Sequence, residues 1–295
     1  MSIVTILGAG ELGGCIGRLL QKKTDTVVQH WDADPSRNPE QKPLTETVPQ
    51  SDAIFLCIPS GAYRAALSAC SDAGLRKETP IVSFAKGIDL QSKATLDQTL
   101  AETLGNDRLF ALISGPMLAE EIDEGLPAAA VCATKDKKLF DFIESLFLNS
   151  GLRFEYSNDV RGVALAGVLK NVYAILLGAL DGASLGSNTR GALITAALGE
   201  MASCIDRLGG KRETAYTLAG IGDLIATGSS TYSRNYSVGR ELATTGVCTG
   251  TSEGTSSVRA VRALVGIDVD APLLEVCEQI LECKIAPKSA LLSLI

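Results

Sequence analysis

A glycine-rich turn near the start of the chain constrains the fold more than any other feature. Residues 3–7 are apolar and rich in β-forming side chains, and they run directly into Gly8-Ala9-Gly10-Glu11-Leu12-Gly13. In such a strand–turn–helix unit the first glycine makes the tight turn, the second lets a phosphate approach the backbone, and the third lets the helix pack on the strand. The pattern therefore predicts a dinucleotide site at the start of the helix.

The first half of the chain repeats this alternation of short apolar runs and helical stretches. Seven runs are rich in β-forming residues, at positions 3–7, 26–31, 53–58, 80–84, 109–113, 128–133 and 152–156. This alternation is typical of a doubly wound, mostly parallel sheet, the Rossmann-like α/β class. Four prolines between positions 34 and 50 predict that the crossover there holds no helix of ordinary length.

From position 159 onward the strand pattern stops and the chain is predicted to form successive helices. Breaks at 182–187, 209–210, 220–233 and 249–254 divide them. The apolar run 163–180 carries one charge, Lys170, which would cost about 3 kcal/mol inside a bilayer, so we expect a buried core helix and no integral membrane segment. We therefore predict a dinucleotide-binding Rossmann domain at residues 1–157 and an all-helical substrate and catalytic domain at residues 158–295.

Charge and cysteine content narrow the class of partner. Acidic residues outnumber basic ones by 34 to 27, and the basic residues are scattered, which argues against nucleic acid and anionic membranes. The eight cysteines lack metal-ligand spacing and are expected to be reduced core thiols, with no metal site. The N-terminus has no basic leader, so a cytoplasmic protein with a small-molecule partner is expected. The oligomeric state stays open, with a homodimer as one alternative.

An acid at the end of the second predicted strand bears on the choice of cofactor. Asp32 lies about twenty residues beyond the turn, where a carboxylate accepts hydrogen bonds from ribose hydroxyls and repels a 2′-phosphate. This position favours NAD slightly over NADP, with Asp34 as a second candidate. The alternative is that both acids only initiate a turn before Pro35. Glu11 would lie beside the pyrophosphate and must turn toward solvent.

The only histidine, His30, lies in the second strand at the adenosine end of the expected site, which argues against a histidine acid–base catalyst. Lysine, aspartate, glutamate, tyrosine and cysteine remain as proton carriers, and Lys170 is the most conspicuous of them. Lys170 lies in an apolar helix, where desolvation lowers the pKa of a lysine toward the range useful for acid–base catalysis. The alternative is a salt-bridged or snorkelling structural lysine. Lys86 follows the fourth strand, at the edge where open parallel sheets bind ligands, or else is a surface lysine.

A Gly- and Ser-rich segment at 220–233, predicted as a loop, leads into a helix that begins near Ser233-Arg234-Asn235. An arginine, backbone amides and small hydroxyls at a helix start suit a phosphate or carboxylate. A serine that only caps the helix is the equally simple alternative.

Taken together, these segments resemble the NAD(P)-dependent glycerol-3-phosphate dehydrogenase family along nearly the whole chain. The densest matches are Leu169-Lys170-Asn171-Val172-Tyr173, Leu218-Ala219-Gly220-Ile221-Gly222-Asp223-Leu224 with Thr227, Ser233-Arg234-Asn235 and Glu253-Gly254. In the first half, the matches include Lys86-Gly87, Ser114-Gly115-Pro116 and Ala119.

The resemblance implies a set of site residues and a reaction. Lys170 would be the general acid–base, with Lys86 and Asp223 as further catalytic residues. Substrate contacts would be Lys86, Gly115, Asn171, Asp223, Thr227, Ser233, Arg234 and Asn235. Cofactor contacts, from motif and resemblance together, would be Gly8, Gly10, Glu11, Leu12, Gly13, Asp32, Lys86, Ala119, Arg234 and Glu253. The implied reaction is hydride transfer between NAD(P) and C2 of dihydroxyacetone phosphate or sn-glycerol 3-phosphate.

Two departures from the family pattern leave alternatives open. The family's Ser-Trp-Gly-Thr is Glu11-Leu12-Gly13-Gly14 here, and its Ser-Phe-Ala after Gly-Pro is Met117-Leu118-Ala119. One alternative is a related lysine-dependent dehydrogenase acting on a hydroxyacid or a ketopantoate-like compound. Another is a cofactor-binding sensor that has lost catalysis.

Overall fold

The computed structural model describes residues 1–247, 250–266 and 269–294, and internal contacts divide the chain into two compact units. The first unit comprises Met1–Asp89 and Thr95–Val160, and the second comprises Leu90–Ala94 and Arg161–Ile295. Residues 90–94 thus group with the second unit, although in the sequence they lie between the two stretches of the first unit.

A seven-stranded sheet with the order β2-β1-β3-β4-β5-β6-β7 forms the centre of the first unit. Its strands are β1 Ser2–Leu7, β2 Thr26–Trp31, β3 Ala53–Leu56, β4 Ile81–Ser83, β5 Phe110–Ser114, β6 Ala128–Ala133 and β7 Leu152–Ser157. Neighbouring strands are parallel except β5 and β6, which are antiparallel. The predicted doubly wound, mostly parallel sheet is confirmed, with every strand at its predicted place.

Helices cover both faces of this sheet because successive strand residues point to opposite sides. Its helices are α1 Glu11–Gln21, α2 Leu44–Thr47, α3 Tyr63–Asp72, α4 Leu96–Leu104, α5 Ala119–Asp123 and α6 Lys137–Leu146. One apolar core joins Phe55 of β3 to α1 and α6, while Ile54 and Leu56 belong to a second core with α3 and α4. The proline-rich crossover contains only α2 and two short 3₁₀ turns, Pro35–Arg37 and Val48–Gln50, as predicted.

The regular secondary structure described in the second unit beyond position 160 is all helical. The helices are α7 Val160–Gly182, α8 Gly186–Arg207, α9 Asp223–Ser229, α10 Arg234–Thr245, α11 Glu253–Val265, α12 Pro272–Leu281 and α13 Pro287–Leu292, with a 3₁₀ helix at Arg212–Tyr216. The prediction of a loop over 220–233 is wrong: a π-helical turn at Leu218–Gly222 leads directly into α9. The glycines there permit close packing, since a Cβ on Gly220 would lie 2.1 Å from the carbonyl oxygen of Ala215. Part of the predicted break at 249–254 lies outside the described residues.

The long apolar helix α7 is the core of the second unit. Among the described residues it is the one helix long and apolar enough to span a membrane, yet 94% of its most apolar 18-residue window is buried inside the protein. The prediction of a buried core helix is therefore confirmed.

The cysteines of the described residues are all free. Burial raises the pKa of the Cys70 and Cys204 thiols to about 12, so both stay protonated and unreactive at neutral pH. Cys283 is exposed, which corrects the expectation of core thiols throughout, and Cys248 lies outside the described residues.

Helices α7 and α10 cross at two glycines. A Cβ on Gly239 would lie 1.9 Å from the carbonyl oxygen of Ile175, and a Cβ on Gly178 would lie 2.0 Å from that of Tyr236. The two backbones are therefore in direct contact, which small residues alone permit. This crossing fixes α10 against the helix that carries Lys170.

A buried carboxylate ties three helices of the same unit together. Glu200 of α8 accepts hydrogen bonds from the backbone N–H of Leu273 (2.7 Å) and Leu274 (3.0 Å) and from the hydroxyl of Tyr173 (3.0 Å). It therefore caps the N-terminus of α12 and anchors α7. Burial raises the pKa of Glu200, while its three donors act in the opposite direction.

We expect Glu200→Ala to lower the free energy of unfolding by about 3 kcal/mol, because it leaves buried donors unsatisfied and removes a helix cap. Urea denaturation followed by circular dichroism measures this loss. Glu213→Ala, at an exposed position of the same unit, is the control and should change stability by less than about 0.5 kcal/mol. Equal effects of the two substitutions would show that the Glu200 contacts do not stabilise the folded protein.

Candidate active site

Two of the three motif glycines are required by the packing of the first unit. Gly8 has φ +104°, and a Cβ there would lie 2.3 Å from the carbonyl oxygen of Cys57. A Cβ on Gly13 would lie 1.9 Å from the carbonyl oxygen of Gly8. The turn between β1 and α1 therefore closes only with glycine at both positions.

The middle glycine has no such packing reason. The nearest atom to a Cβ on Gly10 would be Nη1 of Arg37, at 3.6 Å, so alanine would fit the protein itself. Gly10 is the N-cap of α1 and has no side chain to occupy the N–H groups of the first turn. The space over Gly10, bordered by the exposed side chain of Arg37, thus fits a pyrophosphate that approaches the backbone. Glu11 is exposed and Leu12 is half-buried beside it.

The two acids after β2 accept hydrogen bonds from different parts of the chain, and Asp32 alone binds the glycine turn among the contacts described. Asp32 is buried, and its carboxylate accepts hydrogen bonds from the N–H of Ala9 (2.7 Å) and of Asp34 (2.9 Å). Asp34 caps the following 3₁₀ turn by accepting from the N–H (3.0 Å) and hydroxyl (2.7 Å) of Ser36. The turn-forming alternative describes Asp34 well, whereas Asp32 connects the turn after β2 to the glycine turn.

Further predicted residues lie after β4 and β5, which are neighbours in the sheet. The Nζ atom of Lys86 donates to the carbonyl oxygen of Gly115 at 3.0 Å. A Cβ on Gly115 would lie 2.6 Å from the Cα of Ala130, so this close turn also needs glycine. Ala119 is buried at the first position of α5. Lys86 is therefore held at the carboxyl edge of the parallel strands.

The second unit brings three buried side chains together, those of Lys170, Asp223 and Thr227. The Nζ atom of Lys170 lies 3.1 Å from Oδ1 of Asp223 and 2.8 Å from Oγ1 of Thr227. The hydroxyl of Thr227 in turn donates to Oδ1 of Asp223 at 3.0 Å. All three residues are at most 5% exposed. Asp223 and Thr227 lie one helical turn apart on α9, so they face α7 together.

This triangle fixes the direction of the Lys170 side-chain amino group. Burial disfavours the charged form, and the carboxylate of Asp223 favours it. Lys170 is thus paired, as the structural alternative proposed, and two defined acceptors also orient its N–H groups. An oriented, desolvated ammonium can donate a proton to an oxygen bound next to it.

Asparagines connect three helices beside this cluster. The side-chain amide of Asn235 donates to Oδ1 of Asn171 (2.9 Å) and accepts from the N–H of Gly254 (2.9 Å). A Cβ on Gly254 would lie 2.6 Å from the carbonyl oxygen of Asn171, so α11 begins in close contact with α7. Glu253, at the start of α11, is half-buried.

The start of α10 confirms the interpretation of Ser233 as a helix cap, while anion binding there stays a prediction. Ser233 is the N-cap, and its hydroxyl oxygen accepts from the N–H of Tyr236 at 3.3 Å. Arg234, the first residue of the helix, is exposed. The cap leaves the hydroxyl hydrogen of Ser233 and the guanidinium of Arg234 as potential donors to an anion.

Sequence reasoning missed two residues around these sites. Arg37 lies over the glycine turn, and its only sequence signal is a basic residue shortly after the acid that ends β2. Glu200, the buried carboxylate behind α7, looked like an ordinary helix glutamate, because Tyr173 lies 27 positions before it and Leu273 and Leu274 lie more than seventy positions after it.

Comparison with known proteins identifies the family. The model of the NAD-dependent glycerol-3-phosphate dehydrogenase C-terminus matches residues 159–292, and that of the N-terminus matches residues 39–140. A glycerol-3-phosphate dehydrogenase [NAD(P)+] of Acaryochloris marina is 35% identical, over 99% of this chain and 94% of the relative. One from Pseudomonas savastanoi pv. phaseolicola is 37% identical, over 81% of this chain and 75% of the relative.

Solved structures agree with this assignment. The crystal structure of glycerol-3-phosphate dehydrogenase from Coxiella burnetii has a TM-score of 0.90 and 29% identity, covering 99% of this chain and 98% of that one. A ketopantoate reductase from Ralstonia eutropha, at TM-score 0.61 and 16% identity over 98% of this chain and 99% of that one, shares the fold alone. The chain belongs to the NAD-dependent glycerol-3-phosphate dehydrogenase family.

Proposed function

We propose that the protein is an NAD(P)-dependent glycerol-3-phosphate dehydrogenase that interconverts dihydroxyacetone phosphate and sn-glycerol 3-phosphate. The observation that carries the proposal is the buried Lys170–Asp223–Thr227 cluster in a chain of this family. The space over Gly10 supports the dinucleotide half of the reaction.

In the proposed mechanism, bound NAD(P)H would supply the hydride for C2 of the ketone. Lys170 donates a proton to the carbonyl oxygen as that carbon is reduced, and takes it back in the oxidative direction. Asp223 and Thr227 hold the Lys170 ammonium in position. The positive charge of Lys86, fixed by its bond to Gly115, stabilises negative charge on the substrate oxygen.

The remaining site residues are assigned by the same proposal. Asn171 orients the substrate, and its own side chain is positioned by Asn235. Arg234 and Ser233 bind the substrate phosphate at the start of α10, where backbone N–H groups also favour an anion. On the cofactor side we assign Gly8, Gly10, Glu11, Leu12, Gly13, Asp32, Lys86, Ala119, Arg234 and Glu253.

The direct test is oxidation of NADH and NADPH by the purified protein with dihydroxyacetone phosphate, compared with unphosphorylated dihydroxyacetone. We expect turnover that depends strongly on the phosphate. Turnover of 2-ketopantoate or a 3-hydroxyacid partner, with none of dihydroxyacetone phosphate, would replace this proposal by the related lysine-dependent dehydrogenase. Dinucleotide binding with no turnover of any of these substrates would instead indicate a sensor.

We expect Arg234→Ala to raise KM for dihydroxyacetone phosphate by roughly ten- to hundredfold, the effect of one charge-assisted contact. KM for dihydroxyacetone should change little, because that ketone has no phosphate for Arg234 to bind. Steady-state kinetics with both ketones measure the difference. Arg240→Ala removes an exposed arginine from the same helix and is the matched control. Equal losses on both ketones would mean that Arg234 has a structural role.

We also propose that the protein acts in the cytoplasm, which suits the reduced thiols and a soluble phosphorylated substrate. The homodimer remains a prediction from the sequence, and light scattering of the purified protein tests it.

A further inference from the structure

The two outer strands of the sheet differ in how their open sides are covered. Beside β2, the side-chain amide of Asn38 donates to the carbonyl oxygen of His30 at 2.7 Å. The side chain of Gln41 binds both the N–H and the carbonyl of Asp32, at 2.7 and 2.9 Å. The turn that follows β2 therefore satisfies backbone groups on the open side of this strand. The other outer strand is β7, whose neighbour in the sheet is β6.

Alternate residues of β7 direct their backbone groups away from the sheet. The carbonyl oxygens of Gly151 and Ser157 accept hydrogen bonds from the β6 side, at 3.0 and 2.9 Å. The residues between them with even numbers, Leu152, Phe154 and Tyr156, therefore point their N–H and carbonyl groups outward. No described residue is hydrogen-bonded to the outward groups of Phe154 or Tyr156. The pairing with β6 runs through all six residues of β7 without a bulge.

The space beside this strand is open. A groove of about 830 Å³ is lined by residues 151–155 and by Asp141, Glu144 and Leu148, which belong to α6 and the segment after it. Leu148 is 67% exposed and Tyr156 is 41% exposed, so two large apolar side chains contact water here. A regular outer strand of this kind is a template for pairing with another strand.

The charges on β7 determine which strand fits. Arg153 and Glu155 are both exposed, and they lie on the same face because two positions separate them. If a second copy of β7 runs antiparallel about a two-fold axis at Phe154, each arginine lies opposite the glutamate of the other copy. An axis at position 153 or 155 would place like charges opposite each other. Opposite charges at facing positions stabilise an antiparallel pair, and like charges destabilise it.

The backbone favours the same axis. In an antiparallel pair, every second facing pair of residues exchanges both N–H···O bonds, and the side chains approach more closely at the positions between. An axis at Phe154 gives this residue the exchanged bonds, which its outward N–H and carbonyl can make. Arg153 and Glu155 then occupy the close positions. Hydrogen bonding and charge therefore agree on one register.

We propose that two copies of this chain join through β7, antiparallel and centred on Phe154, so that their seven-stranded sheets become one continuous sheet. The contact uses the same surface on both copies, as a two-fold dimer requires. The inference goes beyond the proposed function by naming the surface that two copies share, and it does not depend on the reaction that the protein catalyses.

Reversal of the two charges tests the surface. Sedimentation equilibrium of the full chain measures the dissociation constant of the dimer. Arg153→Glu or Glu155→Arg alone places like charges opposite each other twice in each dimer, and each should raise this constant by roughly ten- to hundredfold. The double variant Arg153→Glu with Glu155→Arg restores both pairs of opposite charges and should stay within about threefold of wild type.

Lys77→Glu is the matched control for charge. It makes the same change of charge as Arg153→Glu at an exposed position of the first unit between α3 and β4, and it should leave the dissociation constant unchanged. Circular dichroism checks that each variant keeps its fold, which we expect because all three positions are exposed.

Disulfide trapping tests the register. Cys283→Ser first removes the exposed thiol found among the described residues. In this background, a mixture of the Arg153→Cys and Glu155→Cys proteins should form a covalent dimer under mild oxidation, because facing Cβ atoms at the close positions lie within reach of a disulfide. Each variant alone should cross-link far less, since position 153 of one copy faces position 155 of the other. Peptide mapping identifies the bond.

Three results would overturn the inference. A wild-type protein that is monomeric at every concentration would leave this edge to a strand of another protein. A dimer that neither single charge reversal weakens would form through a different surface. A double variant that dimerises no better than the single variants, or a mixture that cross-links no better than its components, would exclude the register centred on Phe154. The proposed dehydrogenase function would stand in each case, because turnover tests it separately.

Discussion

Lys170→Ala is expected to lower kcat/KM for dihydroxyacetone phosphate by roughly 10²- to 10⁴-fold, the contribution typical of a general acid. Dinucleotide affinity should stay within about threefold of wild type, because the glycine turn belongs to the other unit. Stopped-flow measurement of NAD(P)H oxidation gives the rate, and calorimetric titration gives the affinity. Lys288→Ala, at an exposed position of α13, is the matched control and should keep full activity.

Stability must be separated from catalysis in this experiment, because alanine at position 170 leaves the carboxylate of Asp223 buried without its cation. Breaking a buried pair in this way typically costs about 3–5 kcal/mol. The double variant Lys170→Met with Asp223→Asn removes both charges and should recover much of that stability while activity stays lost. A folded single or double variant with near wild-type turnover would exclude Lys170 as the proton donor.

The second large effect is expected at the crossing of α7 and α10. Gly239→Ala places a Cβ against the carbonyl oxygen of Ile175, where the unrelaxed separation is 1.9 Å. The helices must move apart, at a cost of about 3 kcal/mol or more for a clash with backbone atoms. Urea denaturation measures the loss. Activity should fall as well, because α10 carries Arg234 and α7 carries Lys170.

Gly199→Ala is the matched control for this substitution. Gly199 lies within α8, and a Cβ there would have no atom within 4 Å among the described residues. Alanine should therefore raise stability by about 0.5–1 kcal/mol through helix propensity alone. If Gly239→Ala changed stability no more than Gly199→Ala, the backbones of α7 and α10 would not be in direct contact at Gly239.

Local patterns were sufficient to predict the strands of the first unit. The seven strands follow from runs of β-forming residues, and the short helices before β3 follow from proline, whose ring fixes φ and removes a donor. The same reasoning failed at 220–233, where glycine and serine suggested a loop. Tertiary packing determines the secondary structure of this segment. Leu224 and Thr227 are buried, and α9 must be helical to present both side chains to the core.

The site was predictable in its residue types and not in its contacts. An apolar helix with a single lysine marked Lys170 as unusual, and the family resemblance supplied Asp223 and Thr227. Nothing local to Asp32 indicated that Ala9 and Asp34 would take its carboxylate, and nothing local to Glu200 indicated that it would cap α12. Each of these depends on a backbone N–H brought close by the fold.

By itself, the sequence determined the strands of the first unit, the glycine turn between β1 and α1, and the identity of the buried lysine, because periodicity, proline and glycine act within a few residues. Only the tertiary structure decided that Lys170 pairs with Asp223, 53 positions away, and that Arg37 lies over Gly10. Such contacts depend on how whole elements pack, since the distance along the chain does not limit which side chains meet in the folded protein.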